Sequence, residues 1–167
     1  MNTLRFPAFV LAAAFLAAAP GWADSTGARN CPQALAGYGT PEQSVLLEFA
    51  GSADLSFSLL IEGQDGRLDG FVYPAEEEDG MAGVVLDDCP EGDVTGAQLE
   101  ACTVWQGAVH GVDTDGDSGP LPASDQPAAG LLKLDGLYSA VKERAPDMAA
   151  RLPDEPIDTL TLLACLE

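Results

Sequence analysis

The sequence predicts an α+β fold: a β-rich antiparallel sheet with one helix from the C-terminal half of the chain packed on it. Three observations support this prediction. Apolar and polar residues alternate over residues 55–61, and a period of two is typical of a half-buried strand. Turn-forming residues at 62–66 separate that run from a second β-rich run at 67–73, as in a hairpin. After residue 130 the apolar spacing changes to that of a helix.

We expect about five or six strands, in a sheet that is either open or closed into a small barrel. Short apolar or alternating runs place these strands at residues 45–50, 55–61, 67–73, 81–86, 102–109 and 157–166. Turn residues between successive runs favour a meander through the first two-thirds of the domain. The segment before residue 45 is rich in Gly, Ser and Pro, and we expect it to be a polar lead-in without a strand.

The expected helix has apolar residues that recur at helical spacing, namely Leu134, Leu137, Tyr138, Val141, Ala145 and Met148. Asp135 stands where a helix N-cap residue is expected. Pro146 lies inside the pattern. Because proline has no N–H and its ring clashes with the preceding turn, it must kink or split this helix.

Residues 1–23 have the pattern of a cleavable signal peptide. Arg5 supplies the positive charge, residues 6–19 are uncharged and apolar, and Gly21 and Ala23 are the small residues of a cleavage site before Asp24. The apolar run is shorter than the roughly 20 residues that span a bilayer. We therefore expect residues 24–167 to form one exported domain, periplasmic or secreted, with no membrane anchor.

Four cysteines, at positions 31, 89, 102 and 165, predict two structural disulfides. An even number of cysteines is typical of an exported disulfide-bonded chain. Three pairings are open. We favour Cys89–Cys102, which closes a short loop, together with Cys31–Cys165, which ties the two ends of the domain. The close paired spacing of thiol oxidoreductases and zinc sites is absent from the sequence.

The charge balance restricts the class of partner. The chain has 27 acidic and 7 basic residues and a net charge of −20, which loss of Arg5 with the signal peptide would make more negative. Such a charge repels nucleic acid and anionic membranes. It permits a cationic protein, a small ligand or a divalent metal, and it also suits a surface adapted to salty surroundings.

An acidic run suggests a metal-site hypothesis. Asp113, Asp115 and Asp117 alternate along the chain, and Ca²⁺ takes six to eight oxygen ligands. The run resembles the start of an EF-hand loop, but Ser118 occupies the glycine position and Ser124 the position of the bidentate glutamate. The hypothesis is therefore a looser Ca²⁺ loop. The alternative is a flexible acidic loop, because residues 111–130 are expected to form one long connection, and such loops are often functional or disordered.

Other candidate residues belong to weaker patterns. His110, the single histidine, is in phase with Val104 and Ala108, which predicts that it points inward. Glu48 and Glu100 border apolar runs and are the acid pair that a carboxylate-dependent hydrolase would use.

The aromatic residues form either an apolar pocket or part of the core; they are Phe57, Phe71, Tyr73 and Trp105. No catalytic or cofactor motif is present in the sequence. The leading hypothesis is a non-enzymatic exported protein that binds an unidentified partner. The alternatives are a Ca²⁺-stabilised structural module and the carboxylate-dependent hydrolase.

Overall fold

The computed structural model of the chain describes residues 30–63, 66–75, 80–93, 95–113 and 115–166. The expected signal peptide at 1–23 lies outside these residues. The described chain contains nine strands: β1 (Ala36–Gly39), β2 (Val45–Phe49), β3 (Ser56–Ile61), β4 (Arg67–Pro74), β5 (Met81–Leu86), β6 (Thr103–Val112), β7 (Ser118–Pro120), β8 (Leu131–Leu134) and β9 (Thr159–Cys165). Its α-helices are α1 (Gly96–Cys102), α2 (Leu137–Arg144) and α3 (Pro146–Ala149).

Eight of these strands close into an antiparallel barrel. The order around the ring is β1-β2-β3-β4-β5-β6-β8-β9, and β9 pairs with β1 to complete it. Every neighbouring pair is antiparallel. The predicted β-rich antiparallel sheet is thus confirmed, but the barrel has more strands than the expected five or six. All six predicted strands are present within three residues of their expected bounds.

β6 is the longest strand and pairs differently along its two edges. On one edge it pairs with β5 from Thr103 to Val109 and then with the short β7. On the other edge it pairs with β8 only over residues 109–112. Because β8 has only four residues, no described strand covers this edge of β6 from Thr103 to Gly107, and α2 packs beside it instead.

Side chains fill the barrel interior, as expected for eight strands. Alternate residues of each strand point inward, which produces the alternating burial of β2, β3 and β4. The largest fully buried side chains are Tyr38, Leu47, Leu59, Leu68, Leu132, Leu134, Leu137, Ile157 and Leu160. The interior is therefore a packed core.

Several elements differ from the sequence predictions. β1 lies in the expected lead-in, and β8 occupies the residues that were expected to begin the helix. α1 is additional to the single expected helix, whereas α2 and α3 are the two parts of that helix. Gly136 is the N-cap of α2, so the prediction that Asp135 is the N-cap is wrong. The split at Pro146 is confirmed, since α3 begins at that residue.

The connection from 111 to 130 is partly structured. It contains the end of β6, the short strand β7 and the buried residues Leu121 and Ala129. No helix in the described part of the chain has the length and apolarity that a membrane crossing requires.

The two disulfides join the pairs that the sequence analysis favours. Cys31 bonds Cys165 with a Cα–Cα distance of 5.5 Å, which ties the segment before β1 to the end of β9. Cys89 bonds Cys102 with a Cα–Cα distance of 5.2 Å, which ties the loop after β5 to the last residue of α1. No described cysteine is free.

Tyr38, on β1, is the centre of a buried polar network. Its hydroxyl oxygen lies 3.0 Å from Gln33 Oε1 and 2.9 Å from the Ala129 carbonyl oxygen. The Ala129 N–H also donates to Gln33 Oε1 at 3.2 Å. Burial raises the pKa of Tyr38 to about 12, although both hydrogen bonds act to lower it.

This raised pKa predicts an alkaline loss of stability. Below pH 10 the hydroxyl is protonated in the folded and unfolded chains. Between pH 10 and about 12 only the unfolded chain releases its proton, so the free energy of unfolding should fall by roughly 1.4 kcal/mol per pH unit. Urea unfolding of the wild type and Tyr38→Phe measures this. The free energy of unfolding of Tyr38→Phe should not show this fall between pH 10 and about 12. If the two proteins gave parallel profiles of unfolding free energy against pH, the fall could not be assigned to Tyr38.

Candidate binding cleft

A cleft lies between α1 and α2. Its floor is the edge of β6 that β8 leaves uncovered, from Thr103 to Gly107. The cleft consists of two adjoining hollows of about 530 and 670 Å³. Both hollows share four lining residues: Glu100, Thr103, Val104 and Arg144. The cleft is therefore a consequence of the mismatch in length between β6 and β8.

α1 forms the first wall. Thr95 caps its N-terminus: the Thr95 Oγ1 accepts the Gln98 N–H at 3.4 Å, and Gln98 Oε1 accepts the Thr95 N–H at 2.9 Å. This reciprocal arrangement is a capping box. The disulfide at Cys102 holds the other end. No residue of α1 is buried, and Leu99 is 40% exposed and lines the cleft. α1 thus presents an apolar side chain that the barrel covers only in part.

α2 forms the second wall. The carboxylate of Asp158 accepts the Tyr138 N–H at 3.1 Å and satisfies a donor in the first turn. Leu137 and Val141 are buried and anchor the helix to the barrel. At its last residue, Arg144 Nη1 donates to the carbonyl oxygen of Thr103 at 3.0 Å. This hydrogen bond fixes the guanidinium at one end of the open edge of β6.

The floor is the open edge of β6, and Asp135 closes its far end. The Asp135 N–H donates to the Ala108 carbonyl at 3.1 Å, and Trp105 Nε1 donates to the Asp135 carbonyl at 2.9 Å. In a strand, the N–H and C=O of alternate residues point to the same edge. The backbone groups of Gln106 therefore face the cleft, as those of Ala108 do. The Gln106 side chain instead donates to the Tyr73 hydroxyl at 2.7 Å.

More acidic than basic side chains line the cleft. Asp87 and Glu100 line it and form no ion pair with any described residue. Asp135 is paired with Lys133 at 3.0 Å. Arg144 is the one basic residue among the lining residues. The cleft thus has two carboxylates free to interact with positive charge, beside a guanidinium that already bonds the backbone.

The predicted calcium loop is organised by its own hydrogen bonds. Asp113 Oδ1 accepts the N–H of Asp115 at 2.8 Å and the N–H of Asp117 at 3.0 Å. Within the described ranges, no group of three or more His, Cys, Asp or Glu side chains could hold a metal ion. The carboxylate of Asp113 therefore acts on the backbone of the turn, and calcium binding here stays a prediction.

We expect Asp113→Ala to lower the free energy of unfolding by about 1 kcal/mol, because two backbone donors lose their acceptor. This loss should be present with chelator, because it comes from the hydrogen bonds of the turn alone. Thermal melts of both proteins measure it. A rise in the wild-type melting temperature with Ca²⁺ that Asp113→Ala abolishes would instead establish the calcium loop.

His110 faces outward, so the prediction that it points inward is wrong. The pairing of β5 with β6 contains a register shift, beside which Val104 and Trp105 are both buried. Every later side chain in β6 therefore changes face, and Ala108 is exposed. His110 Nε2 lies 3.5 Å from Asp135 Oδ2 on the outer surface.

The two carboxylates of the hydrolase hypothesis are not brought together. Glu48 lies on β2 between inward-facing residues, and Glu100 lies on α1 beside β6. β2 and β6 stand on opposite sides of the eight-strand ring. Glu100 lines both hollows of the cleft, and Glu48 lines neither, so the geometry does not support an acid pair formed by these residues.

The four aromatic candidates are divided between the two faces of the sheet. Phe57 and Trp105 are buried in the core. Phe71 is 40% exposed, and its ring centroid lies 5.8 Å from that of Tyr73 on the outer face. The four residues therefore do not line one pocket.

Comparison of the chain with protein-family models, with curated proteins and with solved structures found no match.

Proposed function

We propose that the chain is an exported, non-enzymatic binding protein whose partner is a cationic protein or peptide. The observation that carries this proposal is the cleft between α1 and α2, where the unpaired Glu100 lies beside the exposed Leu99 and the unpaired Asp87 lines the adjoining hollow. Complementary charge steers encounter and selects partners, and an exposed apolar side chain supplies contact area. The net charge of −20 extends the same preference over the whole surface.

Export is supported by separate observations. Both disulfides belong to the class of bond that persists in oxidising compartments. The pattern of residues 1–23 is that of a signal peptide. The packed barrel interior also favours a binding function on the surface, because the core side chains occupy the space that an internal ligand would need.

Fluorescence anisotropy with a labelled peptide of alternating lysine and valine tests the proposal. We expect binding that weakens at least tenfold between about 50 mM and about 500 mM NaCl, because salt screens exposed charges. The matched peptide of alternating glutamate and valine should not bind. Glu100→Gln and Asp87→Asn should each weaken binding about threefold, as expected for partly exposed ion pairs.

Glu48→Gln is the matched control. It removes the same charge from the opposite side of the barrel and should leave the affinity unchanged. Equal binding of the basic and acidic peptides would contradict a cationic partner. An equal loss in Glu48→Gln and Glu100→Gln would show that total charge, and not the cleft, determines binding.

A further inference from the structure

We infer that the cationic partner binds as an extended segment that adds a strand to the open edge of β6; this inference rests on the proposed function. The edge is open because β8 ends where α2 begins. In strand addition, main-chain hydrogen bonds provide affinity, and alternate side chains provide specificity. Both components are present in the cleft.

The main-chain component is the N–H and C=O of Gln106. At one end of the edge, the Thr103 carbonyl accepts a hydrogen bond from the Arg144 guanidinium. At the other end, the Ala108 carbonyl accepts one from the Asp135 N–H. Between them no described strand pairs with Gln106 on this side. Backbone groups in a strand are obligatory hydrogen-bonding groups, so this residue is the position at which an incoming backbone would pair.

The side-chain component is the lining of the cleft. Successive side chains of an added strand point to opposite faces. One set can contact Leu99 and Ala140, and the other can contact Glu100, because all three line the same hollow as Gln106. A segment in which basic and aliphatic residues alternate fits this arrangement. A helical segment would leave the backbone of Gln106 unpaired.

A series of lysine–valine peptides, each N-methylated at a single residue, tests strand addition. N-methylation removes one backbone N–H, and only alternate residues of an added strand turn their N–H toward β6. We expect methylation at one parity near the centre of the peptide to weaken binding about tenfold. Methylation at the other parity should have little effect.

A second arm changes the protein. Gln106→Pro removes the N–H at the open edge, where no barrel hydrogen bond is lost, and should weaken binding about tenfold. Gln106→Ala keeps the N–H and removes only the side chain, so it should weaken binding much less than Gln106→Pro does. In the wild type, the Gln106 amide should exchange its hydrogen at least tenfold more slowly when the peptide saturates the protein.

The outcomes separate the two proposals. Salt-sensitive binding that tolerates N-methylation at every position would overturn strand addition and leave the cationic partner in place. Absence of binding by the unmethylated peptide would overturn both. If Gln106→Pro fails to fold, the methylated peptides and the amide exchange of the wild type still decide the question.

Discussion

Replacing Cys31 and Cys165 together with serine is expected to lower the free energy of unfolding by about 5 kcal/mol. The bond spans 134 residues, so its loss releases nearly the whole chain in the unfolded state. It also frees β9 from the segment that leads into β1 at the seam of the barrel. Urea unfolding of the double variant, with the second disulfide intact, measures this loss.

The matched control replaces Cys89 and Cys102, which are separated by only 13 residues. Its expected loss is about 3 kcal/mol. This variant should also weaken binding of the lysine–valine peptide, because the bond holds the end of α1 that forms one wall of the cleft. Equal losses of stability in the two variants would contradict the chain-entropy argument.

Gly70→Val is expected to destabilise the barrel by about 3 kcal/mol through overpacking. Gly70 pairs with Phe57 across the β3–β4 ladder. A Cβ at this glycine would lie 2.6 Å from Phe57 Cε2 and 2.6 Å from the carbonyl oxygen of Val84. Neither the packed ring nor the backbone can move aside without disturbing the core. Urea unfolding of the variant measures the loss.

Two controls isolate the contact. Gly119→Val adds the same side chain in β7, where a Cβ would have no atom within 4 Å, and should change stability by less than about 0.5 kcal/mol. Phe57→Ala removes the ring that blocks Gly70. The double variant Gly70→Val/Phe57→Ala should therefore be more stable than the sum of the single losses predicts, and strict additivity would refute the steric explanation.

The strands that alternate clearly could be predicted from sequence, whereas those with glycine or a flanking helix could not. β1 contains Gly37 and Gly39, whose low strand propensity made it resemble a linker. Leu132 and Leu134 of β8 continue directly into the helical spacing of α2. The apolar pattern therefore predicts one helix where the structure has a four-residue strand followed by a helix. Tertiary pairing, which local patterns do not encode, decides both cases.

The spacing of apolar residues in the sequence could not predict the cleft either. The sequence indicates Glu100 as a candidate residue, but its neighbours in the cleft come from α2 and from the loop after β5. The spacing of Thr95 and Gln98 is the signature of a capping box, and this signal could have revealed α1. The open edge of β6 had no such signal, because it depends on where β8 stops.

The pairing of β1 with β9 also determines when the protein can fold. These strands come from opposite ends of the described chain, so the ring cannot be completed until the chain extends through β9. Such non-local contacts are associated with slow folding. Until β9 arrives, β1 exposes unpaired backbone that another copy could capture. An oxidised Cys31–Cys165 bond would keep the two strands close and accelerate refolding relative to the reduced chain.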